Sequence, residues 1–74
     1  MNKLQQAQEQ WYAGVLPEGV RFGLNSSVEL LSGPSAGMAA AVISLEDLDP
    51  EPRYLVESSD GNDLYALQSK LRAI

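Results

Sequence analysis

Residues 28–42 hold two apolar runs, Val28-Glu29-Leu30-Leu31 and Met38-Ala39-Ala40-Ala41-Val42, hinged on Gly33-Pro34-Ser35-Ala36-Gly37. Proline fixes φ and glycine tolerates positive φ, so this hinge can reverse the chain within a few residues. Residues 54–71, YLVESSDGNDLYALQSKL, repeat the arrangement around Asp60-Gly61. Asp-Gly is a strong hairpin signal, because glycine takes the positive φ that tight hairpin turns require. Two successive hairpins in so short a chain confine it to a very small β-rich fold.

The chain has 74 residues, enough for one domain. At that size folding buries only about 60% of the surface exposed by the unfolded chain, so the core is marginal. Small domains often add disulfides or a metal to compensate. With no cysteine and no histidine, this sequence offers neither a disulfide nor a thiolate or imidazole metal site. The expectation is therefore a cofactor-free chain held by packing, as a monomer, or by packing with added self-association, as a weak homodimer.

The formal net charge is −5, with ten carboxylates against Lys3, Arg21, Arg53, Lys70 and Arg72. Nucleic-acid affinity rests heavily on neutralising phosphates, and five scattered cations make a poor electrostatic footprint. The opening MNKLQQAQEQ lacks the apolar core of a signal peptide, and no apolar run approaches the ~18 residues of a membrane span. A soluble cytoplasmic protein with no membrane partner is expected.

Residues 1–13 have helical spacing, with Met1, Leu4, Ala7 and Trp11 three or four residues apart among glutamines, and Gly14 as the stop. So short a helix needs a docking surface. It is a cap whose Trp11 packs over one end of the β-structure, an arm for a partner or a second copy, or a frayed tail. Beyond the Leu16-Pro17-Glu18-Gly19 turn, Val20, Phe22 and Leu24 alternate with Arg21 and Gly23, the period of a half-buried strand. Val28 and Leu30 resume it. Further strands are expected over 38–45, 54–57, 64–67 and 71–74, with a single helical turn at Gln68-Ser69-Lys70 and an acidic loop at Glu46–Pro52. Five short strands at regular spacing point to an all-β barrel, residues 20–74, preceded by the 1–14 helix. If Tyr54 faces one way on its strand, alternation puts at least one tyrosine on the barrel surface, and Tyr65 is a candidate for a binding groove.

Several motifs dissolve on inspection. Gly33-Pro34-Ser35-Ala36-Gly37 matches the G-x-S-x-G nucleophile elbow, but that chemistry requires a strand-to-helix turn and a histidine base. Glu46, Asp47, Asp49 and Glu51 suggest calcium, yet an EF-hand loop starting at Asp47 puts Pro52 and Ser58 where glycine and glutamate are needed. Asn25-Ser26-Ser27 matches a glycosylation sequon and reads as a polar turn. No enzymatic activity is expected.

The stretch Val28 to Val42 resembles the KOW motif of SH3-like barrels found in ribosomal proteins and bacterial transcription elongation factors. Its shared features are an apolar strand, Gly-Pro at the turn, and a second apolar strand restarting some eight residues later. Asp63-Leu64-Tyr65-Ala66-Leu67-Gln68-Ser69-Lys70-Leu71 looks like the closing segment of such barrels, where a strand passes through one helical turn into the last strand. The resemblance implies a small SH3-like five-stranded barrel. Ala40 stands where the motif carries glycine, and Ser35, Gly37 and Ala39 stand where ribosomal members carry basic residues.

The function expected is a non-catalytic protein-interaction module or accessory subunit. Its candidate partner-binding residues are Trp11, Ser35, Glu46, Asp47, Asp49 and Tyr65. One alternative is a KOW-like module bound to RNA or the ribosome. Another is an acidic inhibitor of a basic enzyme, such as an immunity protein or antitoxin, steered by the negative charge.

Overall fold

The computed structural model describes residues 2–74. Helix α1 (Lys3–Tyr12) is followed by strands β1 (Ser27–Leu30), β2 (Ala39–Asp47), β3 (Arg53–Ser58), β4 (Asp63–Leu67) and β5 (Leu71–Ala73), with a 3-10 turn at Gln68–Lys70. The strands form a single sheet in the order β4-β3-β2-β1-β5, every neighbouring pair antiparallel. No ladder joins β4 to β5, so the sheet is open along that side and the closed barrel is not what the pairing gives.

The helix starts and stops on local chemistry. The Asn2 side chain accepts the Gln5 N–H at 2.8 Å and the Gln5 side chain accepts the Asn2 N–H at 3.1 Å, a reciprocal cap. Gly14, at φ +90°, turns the chain out. Its N–H donates to the Trp11 carbonyl at 3.1 Å and that of Val15 to the Gln10 carbonyl at 2.9 Å, satisfying two carbonyls of the last turn. Ala7 and Trp11 are the buried pair, Leu4 is half-buried, and Met1 lies outside the described residues.

The expected strand through Val20, Phe22 and Leu24 is absent from the sheet. Val20 and Phe22 are buried and Arg21 is exposed, but Leu24 is exposed as well, so the alternation holds over residues 20–22 only. The backbone is satisfied by side chains instead. The Arg21 N–H donates to Gln68 Oε1 at 2.8 Å, and the Phe22 carbonyl accepts the Trp11 indole N–H at 2.7 Å. Asn25, at φ +67°, then bends the chain into β1.

β2 is longer than its sequence suggests and takes in Glu46 and Asp47 from the expected acidic loop. Its register against β3 shifts twice, between Val42 and Ser44 and between Leu45 and Asp47. Each shift inserts one extra residue, bending the strand. The first also explains how Val42 and Leu45, three residues apart, are both fully buried. The helix docks at this bend, where Gln8 Nε2 donates to the Leu45 carbonyl at 2.8 Å and the Tyr12 hydroxyl to Ser44 Oγ at 3.0 Å. One core cluster joins Ala7 and Trp11 to Phe22, Val28, Val42, Leu45, Tyr54 and Val56. Each large apolar side chain fully buried in this way stabilises the fold by roughly 1.5–3 kcal/mol.

Candidate functional site

The β1–β2 loop is built by its glycines. Gly33 and Gly37 take φ of +82° and +88°, and the Gly37 N–H closes back onto the Leu30 carbonyl at 2.7 Å. Between them the Ala36 N–H donates to Gly33 and that of Met38 to Ser35, at 3.2 and 3.0 Å. Ser35 therefore sits in a tight turn that leads into a strand, and it is half-buried.

Across from this loop runs β4. The two enclose a groove of about 500 Å³, with Ser32–Ser35 forming one wall and the whole of β4 the other. Leu30, Leu64 and Ala66 supply its apolar side, and Lys70 lies at one end. Tyr65 also lines it, 62% exposed, so two of the six candidate residues, Ser35 and Tyr65, share this site.

The acidic residues divide. Asp47 pairs in register with Arg53, Nη2 lying 3.9 Å from Oδ2, and the same guanidinium stands 5.6 Å from the Tyr65 ring centroid. Asp47 thus reaches the groove at second hand, through Arg53. Backbone N–H donation from Leu48 and then Asp49, with Arg53 nearby, holds its carboxyl below the ordinary carboxylate value, against a small opposing effect of desolvation. Glu46 is turned toward the helix side, accepting the Ser44 hydroxyl. Asp49 is exposed, its N–H returned to Asp47 Oδ1 at 3.4 Å. Glu51 grips the 3-10 turn, accepting from Ser69 N–H at 2.6 Å and Ser69 Oγ at 3.1 Å. The acidic segment is mainly a scaffold for its own turn.

Trp11 leaves the candidate surface altogether. It is 1% exposed and wedged between helix and sheet, its one polar atom bonded to Phe22. An indole buried with its N–H satisfied anchors the helix to its own sheet.

Sequence reading missed Lys70 and the pair Leu64 and Ala66 as groove residues, and Gln68 as an organiser beneath it. Alternation along β4 signals Leu64 and Ala66, whereas nothing local signals Lys70 or Gln68. Among the described residues no three carboxylates converge to hold a metal ion, and no helix is long and apolar enough to cross a membrane. No protein-family model, curated protein or solved structure matches the chain.

Proposed function

We propose that this chain is a non-catalytic protein-interaction module, a small accessory subunit that holds a protein partner against the groove between Ser32–Ser35 and β4. One observation carries it. Ser32–Ser35 of the first hinge and Tyr65, far apart in sequence, line a single groove with an apolar side and an exposed aromatic ring. Tyrosine is among the residues enriched at the energetic anchors of protein interfaces. The accompanying fold assignment is an SH3-like barrel with KOW-like first hairpin. It is supported by the strand order β4-β3-β2-β1-β5 and by the 3-10 turn before β5, the groove being its unsealed side. A cysteine-free composition suits a reducing cytoplasm.

The test is affinity capture from the native host at low salt with the wild-type chain, Tyr65→Ser and, as a control on the helix, Glu9→Gln. A protein partner retained by wild type and Glu9→Gln but lost with Tyr65→Ser is expected. Recovery of RNA in place of any protein, released steeply by salt, would overturn the proposal in favour of an RNA-associated module.

A further inference from the structure

The outer backbone of β4 is an unused hydrogen-bonding edge. Its register with β3 pairs Val56 with Leu64 and Tyr54 with Ala66, and the flanking bonds, Ser58 N–H to Asn62 and Gln68 N–H to Pro52, lie at 2.8 Å. In an antiparallel ladder such bonded positions alternate. The N–H and C=O groups of Asp63, Tyr65 and Leu67 therefore point away from β3, into the groove. The Leu67 C=O, as N-cap of the 3-10 turn, is taken by the Lys70 N–H; no other hydrogen bond among the described residues reaches the remaining groups.

The two ends of this edge lie beside opposite charges: Asp63 and Lys70 form no ion pair among the described residues, while Arg53 already pairs with Asp47. Asp63 faces Glu57 directly across the ladder, both exposed, and neither has an ion-pair partner among the described residues. Like charges opposed across a ladder destabilise it. At the other end Lys70 forms no ion pair among the described residues, and Arg53 stands opposite Leu67. Resting on the interaction-module reading above, we infer that the occupant of the groove is one extended peptide segment of about five residues, added antiparallel to β4 as a further strand.

Its chemistry follows from the register. Residues opposite Leu67 and Asp63 share the outer face of the sheet, so the first is acidic, beside Arg53 and Lys70, and the fifth basic, beside Asp63 and Glu57. The second and fourth lie opposite Ala66 and Leu64, facing inward, and are apolar. A second copy pairing its own β4 here is the competing occupant, and sedimentation separates the two.

The test titrates the full chain with a fluorescent, end-blocked pentapeptide, glutamate-valine-threonine-valine-lysine. Saturable binding with amide shifts at Asp63, Tyr65 and Leu67 is expected. In this register the first, third and fifth peptide N–H groups face β4. N-methylation at the third residue should weaken binding at least tenfold, and at the second less than twofold. Asp63→Lys should weaken it by about two- to fivefold, as an exposed ion pair does, and a peptide ending in glutamate should recover the loss. Absence of saturation at millimolar peptide overturns the inference, as does equal weakening by both methylations. So does a concentration-dependent dimer in sedimentation that shifts the same amides, since the occupant is then a second copy. If the pentapeptide fails while capture still depends on Tyr65, strand addition is wrong and the interaction module stands. If capture fails too, both fall.

Discussion

The Tyr54 hydroxyl donates to Gln68 Oε1 at 2.5 Å, and that bond ties the start of β3 to the turn that precedes β5. The same amide oxygen accepts the Arg21 N–H at 2.8 Å, and Nε2 donates to the Gly19 carbonyl at 3.0 Å. One side chain therefore holds residues 19–21 against the sheet, where a sixth strand would otherwise be needed. Gln68→Leu leaves the part-buried Tyr54 O–H without its acceptor, although the Phe22 N–H still donates to that oxygen, and releases the exposed Arg21 N–H and Gly19 carbonyl to water. It should cost about 1–3 kcal/mol, read from urea unfolding at unchanged slope. A loss below about 0.5 kcal/mol would show that water replaces the amide.

Burial pushes the Tyr54 hydroxyl above the ordinary tyrosine value, against smaller lowering by the Phe22 N–H and by Arg21. A value raised in the folded state means stability that is fully present below the unfolded value, about 10, and lost as pH rises through the folded one. Tyr54→Phe should remove this alkaline slope. Unfolding curves from pH 8 to 11 would show it, and an unchanged slope would reject the assignment to Tyr54.

Asp60 behaves oppositely. The Ser58 hydroxyl donates to its carboxylate and, with help from Asn62 and against slight desolvation, holds the carboxyl below its ordinary value. The unfolded chain then binds more protons in the acid range, so the stabilisation is complete above about pH 4 and is lost as pH falls through the folded value. Ser58→Ala should return the Asp60 titration upward, measured by carboxyl NMR. Identical titration curves for the two chains would sink the assignment.

Trp11 ties the helix to the Phe22 backbone by one hydrogen bond and to the sheet by a large apolar surface. Trp11→Phe keeps most of the surface but strands the buried Phe22 carbonyl, at about 1–3 kcal/mol. Trp11→Ala removes both and should cost about 3–5 kcal/mol. Thermal unfolding by circular dichroism ranks the two, and equal losses would mean that the indole N–H contributes nothing.

At Gly37 a β-carbon would meet nothing within 4 Å, yet φ is +88°. Gly37→Ala is therefore strained by torsion alone, at roughly 1–2 kcal/mol, while Gly37→Asn should cost less. Equal stability of alanine and asparagine variants, measured in urea, would show that the loop has relaxed to negative φ.

The two hairpins were legible because turn chemistry is local. Gly33-Pro34 and Asp60-Gly61 announce reversals whatever the rest of the chain does, and both are found. Alternation at Val20 and Phe22 was legible as burial but not as pairing. A period of two records which way side chains point, whereas a ladder also needs a neighbour with free backbone groups. The bulges in β2 were invisible for a related reason: Ile43 and Glu46 become extra residues only in relation to β3. Of the site, Ser35 and Tyr65 could be picked out, since a serine in a hinge and a tyrosine out of phase with its strand are local facts. Trp11 misled because an apolar helix face reads alike whether its dock is this chain's sheet or another's.

The Ser32–Ser35 wall has a consequence for how the chain survives crowding. An unpaired strand edge is ordinarily where β-proteins join end to end into insoluble assemblies. Here the edge of β4 lies sunk beside a loop and carries a charge at either end, so the flat edge of another sheet meets loop and charge before it meets backbone. If an extended peptide is the occupant of the groove, the same loop and end charges would steer a single strand onto the edge of β4 and hinder the approach of a whole sheet.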